Sequence, residues 1–384
     1  MTTIQPAVAP PPDAARLAEL RGLFPGLADG WARLDGPGGS QTPAPVLKAM
    51  TGYLRRHNAN LGGAFPHSTA TGQLVADSRS LLAAFLGAGT EDVGFGLNAT
   101  VLNSHLAGQA TRGMRAGEEI IVTALDHDAN ITPWLDAAAD HDLVIRTIGV
   151  GADTRLDMDA LASAIGTRTR IVAFPWACNA TGTHVDVRAV TELAHAAGAT
   201  AWADATHYLP HGPVNVADTG VDVLIGSAYK FFGPHLGIYY ARRQTANTWR
   251  PPEAGTLPFE SLAGLTAALG YISSTGWEFI EGTERALGER FLGGLPERWR
   301  LHGLPGMHGR TATFALTLPG HDPRTLAGVL ADHRVAVTAG DFHAPAIMSA
   351  LNLKDGALRV GILHYNTGAE IDRTLEILTT LAAR

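Results

Sequence analysis

The stretch TAWADATHYLPHGPVNVADTGVDVLIGSAYKFFGPHLGIYYA (residues 200–241) decides the fold. It holds three short β-rich runs, Thr200–Ala203, Asp222–Ser227 and Gly237–Ala241, separated by turn-forming residues. None alternates strictly between apolar and polar, as expected of strands covered on both faces. Working towards the N-terminus, four more such runs appear: Val93–Gly96, Glu119–Thr123, Leu143–Val150 and Arg170–Phe174. Helical patterns lie between several of them, such as Val187, Val190, Leu193, Ala194 and Ala197. About seven strands joined by helices predict a large α/β domain with a mainly parallel sheet.

The flanks read differently. Residues 1–12 are Pro/Ala-rich and predict a flexible arm. Residues 13–43 form an N-terminal segment expected to pack with a smaller domain. Thr42-Pro43 reads as a helix N-cap with proline in the first turn. Behind it Val46, Leu47, Met50, Tyr53 and Leu54 mark one helical face, and Leu74, Val75, Leu81, Leu82, Phe85 and Leu86 mark another. The large domain is expected over 44–250 and a hinge over 251–275, opening at Pro251-Pro252. A smaller α+β domain follows over 276–384, with strands at Thr311–Leu318, Arg334–Thr338 and Ala357–Ile362. Its last helix opens on the capping-box pattern Thr367-Gly-Ala-Glu370.

Composition narrows the function. The 384 residues are 46% hydrophobic and 17% charged, with net charge −7, which gives no footprint for nucleic acid or an anionic membrane. No apolar run is long enough to span a bilayer, and the N-terminus lacks a signal-peptide pattern, so a cytoplasmic chain is expected. The single cysteine, Cys178, excludes an intrachain disulfide, and no paired-His or Cys-cluster spacing supports a metal site. Of 29 basic residues only three are lysines: Lys48, Lys230 and Lys354. Arg-favouring codon usage accounts for the scarcity. It leaves open why a lysine stands at 230.

In an open α/β sheet, ligands bind beyond the carboxyl ends of the strands. The strand ends here deliver Asn98-Ala99-Thr100 at a helix start, then Asp126-His127-Asp128, Cys178-Asn179, Asp204-Ala-Thr-His207 and Ser227-Ala-Tyr229-Lys230. Taken singly, Asp204 could be a helix cap, His127 a capping or core histidine and Lys230 a surface residue. Together they converge. Tyr229, Phe231 and Phe232 set apolar bulk around Lys230, and a desolvated lysine that gives up its proton suits Schiff-base chemistry. A lysine for a carbonyl, an aspartate for a pyridine nitrogen and a helix start for a phosphate describe pyridoxal 5′-phosphate.

With DGPGGSQTP (35–43), LDHDANITPW (125–134), CNATGTHVDV (178–187), SAYKFFGPHLGIYY (227–240) and LRVGILHYNTGAEID (358–372), the chain resembles the class V aminotransferases of PLP fold type I. Within them it is similar to the cysteine desulfurase and selenocysteine lyase branch, from about Leu34 to the C-terminus. The resemblance implies that Lys230 bonds the cofactor and moves protons, Asp204 pairs with the ring nitrogen, and His127 stacks over the ring. It implies Asn179 and His207 near the ring oxygen, and Ala99, Thr100, Ser227 and Tyr229 around the phosphate. Thr256 would reach the phosphate of a neighbouring subunit, implying a homodimer with shared sites. Arg359 would grip the substrate α-carboxylate.

The likeness breaks at one place. Desulfurases carry a cysteine nucleophile in the loop before the last strand, whereas Thr338–Pro345 here reads TAGDFHAP. Cys178 reads as a small buried residue and not a replacement. Phe342 and His343 would then flank the substrate, with His343 or a nearby tyrosine able to protonate a leaving sulfur. The reading is C–S β-elimination from an S-substituted cysteine. Transamination, epimerisation and decarboxylation coupled to oxidative deamination stand as alternatives on the same cofactor, with a noncatalytic PLP-fold protein as a third.

Overall fold

The computed structural model describes residues 13–247, 249–250, 252–253 and 255–383. The arm expected over 1–12 lies outside these residues. The central sheet contains seven strands: β1 (Val93–Gly96), β2 (Glu119–Thr123), β3 (Val144–Ile148), β4 (Thr169–Pro175), β5 (Thr200–Asp204), β6 (Val223–Ser227) and β7 (Gly237–Ala241). Their order is β1-β7-β6-β5-β4-β2-β3. Only β7 runs against its neighbours; the other pairings are parallel. The carboxyl ends of β1, β2, β4, β5 and β6 therefore share one edge.

Both faces of this sheet are covered, which explains the unbroken apolar runs. Ile120, Val122, Ile171, Trp202, Val223 and Ile225 face Leu102 and Leu106 of the helix Ala99–Ala110 and Trp134. Their alternates Ile121, Val172, Phe174, Ala203 and Leu224 join a larger core with Val187, Val190, Leu82 and Leu262. The edge strand β3 is the exception, with Val144 exposed.

A second sheet is antiparallel, in the order β10 (Thr338–Gly340), β11 (Ala357–Gly361), β9 (Thr313–Thr317), β8 (Arg300–His302). The helix Gly368–Ala382 packs there through Ile371, Leu378 and Leu381, and both bonds of the Thr367–Glu370 capping box form. The N-terminal segment joins this unit at Ala32–Arg33, which pairs in parallel with Val335–Ala336.

Several local readings differ from the structure. The helix Ala44–Arg56 is capped by Pro43 without a side-chain bond, so Thr42 is not the cap. Val46 and Tyr53 on it are buried, but Leu47 and Leu54 are exposed, as is Leu81 on the helix Pro66–Leu86. Each helix is apolar over a wider arc than this chain's core receives. The strand read over Arg334–Thr338 is split into Val335–Ala336 and β10, which belong to different sheets. No described helix is long and apolar enough to cross a membrane.

Candidate active site

Each strand end delivers its residues by a definite contact. After β1, the Asn98 side chain accepts the Val101 N–H at 2.9 Å and opens the helix Ala99–Ala110. The Ala99 N–H donates to Ser227 Oγ at 2.8 Å, so the end of β6 meets this helix start, with Thr100 exposed beside it. Gly237 opens β7 at the same point, where a Cβ would lie 2.8 Å from the Asn98 carbonyl carbon. After β2, the buried Asp126 accepts from Thr123 Oγ1 at 2.6 Å and Asn130 Nδ2 at 2.7 Å, bracing the turn that carries His127. After β5, Asp204 Oδ1 accepts the Thr206 N–H at 2.8 Å, and its other oxygen meets no donor among the described residues.

Lys230 follows β6 between elements far apart in sequence. Its Nζ donates to the Pro37 carbonyl and lies 5.1 Å from the Tyr229 ring centre. Ser40 Oγ donates to the Tyr229 carbonyl at 3.1 Å and accepts the Phe232 N–H at 2.7 Å, tying the lysine turn to the N-terminal segment. Burial lowers Lys230 from a lysine's ordinary 10.5 to about 7; the nearby Arg359 cation adds to this and Asp204 opposes it. Asp204 is pushed upward, first by burial.

Arg359 on β11 is 6% exposed and makes no ion pair with a described residue. Its Nη1 donates to the Asn179 carbonyl at 2.9 Å, its Nε to Thr338 Oγ1 at 3.2 Å, and its guanidinium lies 4.3 Å from the Phe342 ring centre. Burial lowers its pKa to about 10. Asn179 Nδ2 donates to the Phe342 carbonyl at 2.8 Å, while its Oδ1 is buried without a partner.

The loop after β10 is bent hard. Phe342 and His343 both have positive φ, 60° and 55°. Successive non-glycine residues in this region mark strain held by surrounding contacts. The His343 carbonyl accepts the Asp128 N–H at 2.7 Å, and the rings of His343 and His127 lie 5.4 Å apart. His127 Nδ1 accepts the Ala129 N–H at 3.0 Å, so its proton belongs on Nε2. Burial, then the His343, Lys230 and Arg359 charges, lowers it to about 4, leaving a neutral ring at pH 7.

Lys230, Asp204, His127, Asn179, Arg359, Phe342 and His343 thus share one site, with Ala99 and Ser227 at its helix start. His207 lies close by, but its Nε2 is turned to Thr313 Oγ1 at 3.1 Å and Thr311 Oγ1 at 3.3 Å. Tyr229 stacks on His235 with ring centres 5.0 Å apart. Thr256 is exposed and joins none of these contacts. Pro37, Ser40, Asp126 and Thr338 hold these side chains although no local pattern marks them as site residues. Only DGPGGSQTP hints at the first two, with Gly39 where a Cβ would lie 3.2 Å from the Tyr229 ring.

The donor set fits pyridoxal phosphate. A buried carboxylate with an open oxygen suits a protonated ring nitrogen, the orphaned Asn179 Oδ1 offers a further ring contact, and the helix start suits a phosphate. The free amine of Lys230 can be followed directly. In apo protein, its acetylation by dilute acetic anhydride, followed by peptide mass spectrometry, will rise with pH and be half-maximal near 7. Below that midpoint the ammonium is not nucleophilic; a midpoint above 9 would contradict the burial argument.

Comparison with known proteins agrees with this geometry. The family model described as "Aminotransferase class-V" matches residues 32–254 and 252–374. A probable cysteine desulfurase of Pseudomonas putida is 30% identical over 90% of this chain and 92% of its own length. An aminotransferase-like protein, FGM3, of Gibberella zeae is 27% identical over 94% of this chain and 97% of its own. The apo structure of a cysteine desulfurase from Thermococcus onnurineus superposes with a TM-score of 0.92 at 26% identity, covering 95% of this chain and 98% of that one. With Lys230 and Asp204 at the carboxyl edge of the central sheet and Arg359 of the second sheet beside them, the chain belongs to the class V aminotransferase family and is a pyridoxal-phosphate-dependent enzyme of fold type I.

Proposed function

We propose that this enzyme cleaves the Cβ–S bond of an S-substituted L-cysteine by β-elimination, releasing a thiol and 2-aminoacrylate, which takes up water to give pyruvate and ammonia. The observation that carries this reading is the loop after β10. It presents Phe342 and His343, and no thiol, beside Arg359. Cys178 is fully buried, and burial raises its thiol, so it supports no persulfide chemistry.

The cofactor, when bound, supplies an electron sink for the carbanion left at Cα. The chain does the rest. Lys230 holds the cofactor and, as a free amine near pH 7, takes the Cα proton. Asp204 keeps the ring nitrogen protonated. Ala99, Thr100, Ser227 and Tyr229 receive the phosphate, and Asn179, through its unpartnered Oδ1, serves the ring oxygen. The neutral His127 ring covers one face of the cofactor and offers Nε2–H. Arg359 grips the α-carboxylate, and Phe342 fixes the guanidinium plane. His343 gives a proton to the departing sulfur, so the Cα–H and Cβ–S bonds are exchanged for a C=C bond and a thiol.

Two chains would pair around these sites. Exposed Leu47, Leu54, Leu61, Phe65, Leu97 and Val101 support that reading, as does the outward-lying Thr256. The deciding assay offers holoenzyme a panel of cysteine S-conjugates. Thiol and pyruvate are expected in equal amounts without an amino acceptor. Keto acid formed only with an acceptor would turn the reading to transamination, and alanine formed from free cysteine would turn it to desulfuration.

A further inference from the structure

Arg359 and the strained Phe342–His343 turn line a groove of about 940 Å³ beside the second sheet. Its floor is bare backbone: Gly356, at φ 77°, packs against Gly340 so closely that a Cβ would run into that glycine's main chain. Its walls come from the turn before the helix Pro323–Asp332 and from Lys354-Asp355 ahead of β11. Among the described residues Phe342 is the only large apolar one on it; an alkyl or aryl sulfur substituent would find little to pack against.

The charges along the groove are not equally engaged. Asp322 accepts the Arg324 N–H at 3.0 Å as the cap of its helix, and Asp341 accepts the His343 N–H at 3.1 Å. Both carboxylates thus brace backbone. Arg324 and Lys354 are exposed on the groove, and their side chains form no hydrogen bond or ion pair with any described residue. Asp355 is the remaining carboxylate, and His321 and His343 add imidazoles. A groove lined both by a buried arginine without an anion and by two exposed cations without partners is suited to a ligand that carries two anions.

We infer that the substrate carries a second carboxylate, on its sulfur substituent, and that Arg324 and Lys354 receive it. The sulfur rests on the function proposed above; the second anion site does not. Two measurements separate them. Calorimetry of holoenzyme with L-2-aminoadipate and with its neutral δ-amide reads the anion site alone. The acid is expected to bind about 10- to 100-fold more tightly, the range for bonds between charged groups. That preference should collapse in the Arg324→Gln/Lys354→Gln double variant, with affinity for the amide unchanged. Kinetics with S-(2-carboxyethyl)-L-cysteine and its amide should show the same selective loss in kcat/KM. Equal affinity for acid and amide in the wild type, or equal losses on both in the variant, overturns the inference. A selective acid-binding site with no thiol released from either conjugate upholds the inference and sinks the lyase.

Discussion

Replacing Lys230 by alanine will remove turnover, with a fall in kcat of at least roughly 10³-fold from the loss of a positioned general base alone. The cofactor will then be held by its phosphate and ring contacts only, so borohydride will no longer fix it to the protein. Lys230→Arg will not rescue either property, because a guanidinium stays charged and offers no free amine. A second readout separates this from misfolding. The pKa of Lys230 in the folded chain, about 7, lies below its ordinary 10.5. Between those values the unfolded chain binds more protons, so wild-type apo protein gains stability as pH rises through that window. The buried-ammonium penalty is present in full below about 7 and gone above about 10.5, a difference on the order of a few kcal/mol. Lys230→Ala will lack this rise, while both proteins share the rest of their pH dependence. Equal apo stability profiles, or a variant that keeps its activity, would contradict the assignment.

The same lysine shows what the sequence could and could not disclose. Its apolar neighbours are adjacent in the chain, so Phe231 and Phe232 could be read directly, and both are fully buried. The strands were legible for a related reason: helices cover both faces of the sheet, leaving runs such as Ile120–Val122 and Val223–Ile225 apolar throughout. Their polar endings then showed where chemistry gathers, including Asp204.

Contacts made by backbone atoms across the fold were not legible. The Pro37 carbonyl at Lys230 Nζ and the Ser40 hydroxyl at Phe232 depend on a segment about 190 residues away, which no local pattern encodes. Nor did composition show that Phe342 and His343 adopt positive φ, since phenylalanine rarely does and histidine, though enriched there, does so only in a small minority of cases. His207 shows a third limit. Its position after β5 could be read, but the direction of its ring is set by Thr311 and Thr313 on the other unit. The helical stripes failed where Leu47, Leu54 and Leu81 stand exposed, because periodicity reports an apolar face without saying whether the chain's own core covers it.

Arg359→Gln will give the second large effect, and it will be specific to the α-carboxylate. In the folded chain the guanidinium is buried, stacked on Phe342 and held by the Asn179 carbonyl and Thr338, with no described anion beside it. Its desolvation is therefore offset only partly until a carboxylate arrives, and a bidentate pair formed there is stronger than one in water. Removing the cation should cost about 2–5 kcal/mol of binding, the range for truncating one partner of a buried charged pair. This corresponds to a fall in kcat/KM of roughly 30- to several-thousand-fold. An S-substituted cysteamine, which has no carboxylate, supplies the control: wild type and variant should bind it alike. Arg359→Lys should recover little, because a single ammonium can neither pair bidentately with the substrate nor keep the bonds to Asn179 and Thr338 at the same time. Were the variant to lose affinity for the cysteamine equally, Arg359 would be bracing the Phe342–His343 turn and not reading the substrate. The strained loop, and not the arginine, would then be the element that selects the amino acid.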